Sequence, residues 1–183
     1  MKDNSVIKYF VFTILAVVFV VTGCQGGQKE VDPEKLNLVD HYVEDLTKAL
    51  LDAEPDLLGW VREPYSENLP LKYDNDRLAL LDEHKQKIEA IRERRQGVEF
   101  PTEDEIADWQ VIVVRGDDEW LLEGSSVLEA LLELDTMSDR FTAAVELIVA
   151  NEGVMTMTQS ELIITLTEEL LPAVEAIRAV LYR

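Results

Sequence analysis

From Asp32 to the C-terminus one pattern recurs: apolar residues spaced three and four apart, each series opening behind a capping residue. Leu36, Val39, Val43, Leu46, Leu50 and Ala53 form the first seam. Such spacing puts side chains on one stripe of a helix, which must then be buried against another element. Asp32-Pro33-Glu34 opens the helix with a capping carboxylate, a proline where no N–H is needed, and an acid at the positive end of the helix dipole. Pro55 is expected to end or bend it.

The next seam, Leu81, His84, Ile88 and Ile91, predicts a helix over Asp76–Gln96, with Gly97 as a left-handed stop. Its second half is basic, with Lys85, Lys87, Arg92, Arg94 and Arg95 against Glu89 and Glu93. Cations suit a helix C-terminus and offset acidic neighbouring helices; the functional alternative is a docking patch for an acidic partner. Thr102 and Glu105 have capping-box spacing. The stretch Trp109–Arg115 (WQVIVVR) is ambiguous. Its β-branched run could form a hairpin through Gly116-Asp117 with Glu119–Leu122. The good cap and the want of another strand favour a short helix ending at Gly116.

Ser126 and Glu129 predict a long helix to about Asn151, with Val127, Leu131, Leu134, Phe141, Val145 and Ile148 inward and Gly153 as its stop. Thr158 and Glu161 predict the last helix. There Leu162, Leu166, Leu170, Ala173 and Ile177 are expected inward, widened by Ile163, Ile164, Leu171 and Val174, which would make it the most buried, with a kink at Pro172. The fold class expected is all-α: an antiparallel bundle of four long helices plus one short helix over residues 33–183. No internal repeat at solenoid periods is found.

Ahead of this lies Tyr9–Cys24 (YFVFTILAVVFVVTGC), an apolar run behind a head carrying Lys2 and Lys8 against Asp3. A weakly positive head, a short apolar run and small residues make an export signal. A bilayer span needs about 20 apolar residues, so a permanent anchor helix fits less well. Val21-Thr22-Gly23-Cys24 resembles the lipobox of bacterial lipoproteins, a likeness confined to the export segment, with Val21 where that family more often has Leu. It implies removal of residues 1–23 and lipidation of Cys24, by diacylglycerol on sulfur and a further acyl chain on the amino end. Two or more chains hold a protein stably on a membrane, at about 0.8 kcal/mol per buried methylene. In a cell with two membranes, Gln25 after the cysteine implies sorting to the outer membrane. The plainer alternative is an ordinary secretory signal with Cys24 an incidental thiol. Residues 24–32 read as a flexible tether; at about 3.5 Å per residue the eight after the cysteine reach roughly 28 Å.

Losing residues 1–23 removes two lysines and one aspartate, so a net charge of −20 becomes −21. That argues against nucleic acid, which is bound through lysine and arginine. It also repels anionic head groups, so the acyl chains would have to hold the membrane. Cys24 is the only cysteine. With it lipidated, disulfides, cysteine–zinc sites, thiol catalysis and C-x-x-C-H haem attachment are out of reach.

Few motifs carry chemistry. Leu38 and Leu81 stand where a di-iron bundle needs Glu three before each histidine. Asp74-Asn75-Asp76 begins like a calcium loop, but Ala79 replaces the required Gly and Lys85 the closing Glu. His84, with Met137, is the one conceivable haem-ligand pair; a lone inward histidine more often serves a core hydrogen bond. Arg115-Gly116-Asp117 spells an adhesion tripeptide too short to count. The connection Trp60–Asp76 gathers Trp60, Arg62, Tyr65 and Tyr73 with Glu63, Glu67, Asp74 and Asp76. Rings beside carboxylates suit a sugar, peptide or partner protein, while the structural alternative has the rings plugging one end of the bundle. No catalytic or metal-binding set stands out, and no cofactor is expected beyond the covalent lipid. The expectation is a lipid-anchored cell-envelope protein that is not an enzyme and binds another envelope protein. The other readings are a bundle holding haem, a metal or an apolar molecule, and an enzyme using the loop carboxylates on cell-wall sugars.

Overall fold

The first seam is buried along its whole length: Leu36, Val39, Val43, Leu46, Leu50 and Ala53 are each under a tenth exposed. They lie on α1, Pro33–Leu58, whose start coincides with the predicted proline; Asp32 Oδ1 accepts from the N–H of Glu34. Pro55 sits inside α1 on its exposed side. The computed structural model describes residues 31–58, 71–115 and 118–181; the export segment, and Trp60, Arg62 and Tyr65 of the candidate loop, lie outside them.

A two-residue strand, β1 (Leu71–Lys72), leads into α2 (Asn75–Glu93), capped by Asp74, whose Oδ1 accepts from Arg77 N–H at 2.9 Å. The stop at Gly97 is not left-handed. The helix tightens into a 3₁₀ turn, Arg94–Gln96, and Gly97 is extended at φ −68°. Thr102 and Glu105 form the predicted capping box on α3 (Glu103–Ala107).

The helix expected over Trp109–Arg115 is instead β2 (Gln110–Arg115), paired antiparallel with β3 (Asp118–Glu123) in the register Ile112↔Leu121. The missing partner strand was the very next segment. Val111, Val113 and Leu122 turn one face inward, and β3 lies on α4, which supplies the third layer that an isolated hairpin lacks. The N–H of Gly124 closes the base of the hairpin on the carbonyl of Trp109 at 2.8 Å. A Cβ on Gly124 would lie 1.7 Å from the Ile106 carbonyl oxygen, so no side chain fits where α3, hairpin and helix meet.

That contact also moves the start of α4 (Gly124–Ala150) ahead of the predicted Ser126–Glu129 box. The predicted stop holds: Gly153 takes φ +76° and its carbonyl accepts from Tyr73 N–H at 2.8 Å. β4 (Val154–Met155) pairs with β1, and α5 (Met157–Leu181) follows. Its box is Thr156–Gln159, two residues earlier than predicted. Its inward seam is Ile163, Leu166, Leu170, Val174 and Ile177, whereas Leu162 and Leu171 are about half exposed or more, at 62% and 47%. A helix apolar on several sides offers more than one seam at period 3.6, and packing against α4 and α1 selects this one.

The described residues are mostly helical with two small two-stranded sheets. The ion pairs fix helix directions. From α1 to α2 they run Asp45–Arg94, Asp52–Lys87 and Asp56–His84; from α2 to α4, Arg95–Asp135, Arg92–Asp139 and Lys85–Glu146. One number rises as the other falls, so each pair of helices is antiparallel. The start of α1, the end of α2, α3, the hairpin and the start of α4 therefore share one end of the molecule. Leu58, the last residue of α1, lies at the other, about 39 Å along the helix at 1.5 Å per residue.

Candidate functional site

At the end where α1 starts, a cleft of about 460 Å³ opens between α1 and the connection from α2 to α3. Leu38, His41 and Tyr42 contribute from α1, Arg94 from the 3₁₀ turn, and Val98, Glu99 and Phe100 from the connection. Leu38 and Tyr42 are four apart, on a stripe beside the main seam, so α1 presents a second apolar line there. Tyr42 and Phe100 make the floor, edge to face with ring centroids 5.4 Å apart. Val98 stands fully exposed at the lip, and Leu38 is partly exposed.

The floor is held from behind. Tyr42 is 2% exposed and its hydroxyl donates to Asp135 Oδ1 at 2.7 Å. Burial pushes that phenol above its ordinary pKa, partly offset by Arg95, Arg92 and Arg94. Arg95 takes the other oxygen of Asp135, and Arg94 is 2.9 Å from Asp45. On the α1 side, Lys35 Nζ donates to Glu105 Oε1 at 2.5 Å. That bond, joined by the N–H of Thr102, lowers the Glu105 carboxyl to about 2. The basic half of α2 is thus engaged within the molecule: Lys85, Lys87, Arg92, Arg94 and Arg95 each meet an acid of α1, α3 or α4. This agrees with the local account of those cations.

The other residues singled out from sequence fall elsewhere. Tyr73 is 1% exposed and donates to the Leu57 carbonyl at 3.1 Å, a ring plugging the core at the far end. Burial pushes its hydroxyl up to about 12. Asp74 caps α2. His84 Nε2 lies 2.8 Å from Asp56 Oδ2, and Met137 is buried in α4. Among the described residues no three His, Cys, Asp or Glu side chains gather to hold a metal, and no helix is long and apolar enough to cross a membrane.

Sequence reasoning passed over the cleft because half of its wall is a connection without periodicity. The signal was there in two places: an apolar Leu38–Tyr42 pair off the main seam, and Val98 and Phe100 within a turn. The lining joins the exposed Leu38 and Val98 with Arg94, His41 and Glu99 over two buried rings. Comparison with protein-family models, with curated proteins and with solved structures finds no match to this chain.

Proposed function

We propose that this is a lipid-anchored cell-envelope protein whose helical domain binds a segment of another protein in the cleft beside Val98. In this reading residues 1–23 are removed, Cys24 is acylated, residues 24–32 are a tether, and α1, α2, α4 and α5 form an antiparallel four-helix bundle completed by short α3. The observation that carries it is the cleft itself: an aromatic floor under an exposed apolar lip, placed where the tether enters α1. Exposed apolar groups around a concavity are what a partner's anchor side chain requires. Leu38 and Tyr42 lie on the first three turns of α1, so the cleft opens close to the lipid and favours a partner that is itself in the membrane or beside it.

The test is co-purification from mildly solubilised native membranes with the full chain as bait. Val98→Asp should abolish recovery of a stoichiometric partner, and Glu161→Lys, on the exposed side of α5, should retain it. Equal recovery by both variants, or none by the unaltered chain, would overturn the reading. Mass spectrometry of the mature N-terminus tests the anchor separately, since an unmodified sulfhydryl at Cys24 contradicts it.

A further inference from the structure

The seams between α1 and α2 and between α2 and α4 are each crossed by three of the ion pairs given above. Among the described residues only Arg140–Glu169, at 2.5 Å, crosses from α4 to α5. Leu132, Ala143 and Leu147 stand eight, three and seven positions from Arg140, and Leu162, Pro172 and Ala176 stand seven, three and seven from Glu169. Both sets therefore share the side of their helix that carries the ion pair. Leu132 and Leu162 are 66% and 62% exposed, more than any other described leucine. Acids frame this apolar strip. Glu161, Glu168 and Glu175 follow its α5 edge at seven-residue intervals, and Glu129 and Glu133 close it beside Leu132. All five are exposed, and none has a cation partner among the described residues.

We propose that the α4–α5 strip receives an amphipathic helix of another protein, its apolar stripe flanked by lysine or arginine at seven-residue spacing. Charge and period select this occupant. Glu161 to Glu175 cover about 21 Å of α5 at 1.5 Å per residue. A helix lying along that row meets it once in every two turns. A partner of the same period presents a cation to each acid while its apolar side chains close over Leu132 and Leu162. Carboxylates beside an apolar stripe set partner choice and register in paired helices, and here they are left without cations of their own. The same five acids repel an anionic lipid surface, and they repel a second copy of this chain, whose strip carries the same signs. The strip shares no residue with the cleft, which lies between α1 and the connection to α3.

The experiment is fluorescence anisotropy of a labelled synthetic peptide titrated with the full chain in non-ionic detergent, the detergent-only signal subtracted. The peptide has three heptads, with leucine along one stripe and lysine flanking it once per heptad. The unaltered chain should bind it saturably, and a scrambled peptide of the same composition should not saturate. Leu162→Asp should weaken binding about tenfold by placing a charge in the strip. The double variant Glu168→Lys with Glu175→Lys should also weaken it about tenfold. Glu34→Lys with Glu83→Lys makes the same change in net charge away from the strip and should leave binding unchanged. If Leu162→Asp lowers the helical circular dichroism, Leu132→Asp makes the same test. Absence of binding, equal binding of the scrambled peptide, equal losses in the two double variants, or indifference to the leucine variants would overturn the proposal. Val98→Asp should bind the peptide as the unaltered chain does, so that failure here and failure at the cleft are told apart.

Discussion

Tyr42 and Asp135 meet across 93 residues of sequence in a 2.7 Å hydrogen bond, and Arg95 takes the second oxygen of the same carboxylate. One side chain on α4 thereby fixes both the ring that floors the cleft and the cation at the end of α2. Asp135 does not line the cleft. It positions what does.

Replacing Asp135 with Ala leaves a buried phenol without its acceptor and a mostly covered guanidinium with only the longer contact to Glu103. Hydrogen bonds to charged groups contribute about 1.5–3 kcal/mol each, and orphaned partners add their desolvation. The Asp135→Ala chain should lose about 3 kcal/mol of stability in urea unfolding. Tyr42→Phe should cost measurably less in that background than in the unaltered chain. Equal costs in both would mean that the two groups are not coupled.

Gly124 and Gly153 predict two different kinds of damage. At Gly124 the obstacle is contact, since a Cβ would overlap the Ile106 carbonyl. At Gly153 it is both the positive φ of 76° and a Tyr73 carbonyl oxygen 2.5 Å from the new Cβ. Ala at either position should cost about 2 kcal/mol, by forced displacement at the first and by added backbone strain at the second. Asn tolerates left-handed backbone, so Gly153→Asn should recover part of the strain but none of the contact penalty. An Asn variant no better than Ala would assign the whole cost to contact.

How much of this was legible from the residues follows from which interactions are local. The seams of α1, α2 and α4, the Thr102–Glu105 box and the stop at Gly153 were readable, because spacing and capping act within a turn or two. The start of α4 was not, because Gly124 is fixed by the Ile106 carbonyl outside its own helix. The strand at Gln110–Arg115 was misread for a related reason: the quality of the neighbouring cap on α3 was carried into a segment with its own β-branched signal. The α5 seam was right at Leu166, Leu170 and Ile177 but took Leu162 for Ile163 and Ala173 for Val174, neighbours of similar character that only the packing of α4 and α1 distinguishes. The cleft depends on Phe100 meeting Tyr42 across 58 positions, which no short-range pattern encodes.

Tyr73 supplies an alkaline signature. Its pKa is raised from 10.0 to about 12, first by burial, with Arg77 pulling weakly the other way. A raised folded value means that its contribution to stability is complete below 10 and is lost as pH climbs through 12. Phenolate absorbance of the folded chain should therefore contain a late step that Tyr73→Phe removes, leaving the ordinary steps unchanged. A missing early step in that variant would place the ring in solvent.

Glu105 supplies the opposite sign at the acid end. The hydrogen bond from Lys35 lowers its pKa from 4.5 to about 2, with the Thr102 N–H assisting, and so ties α3 to the start of α1. A lowered folded value means that the contribution is complete above 4.5 and disappears as pH falls toward 2. Glu105→Gln keeps the shape of the side chain and lacks the charge at every pH. The gap in melting temperature between the two chains should be widest at neutral pH and should close through this acid window, while the other carboxylates titrate in both and cancel. Lys35→Met should shrink the gap at neutral pH as well, because the pair is exposed and the cation is the larger cause of the shift. A gap that stays constant from neutral pH down to about 2 would show that the charge of Glu105, and with it the link between α1 and α3, carries none of the stabilisation.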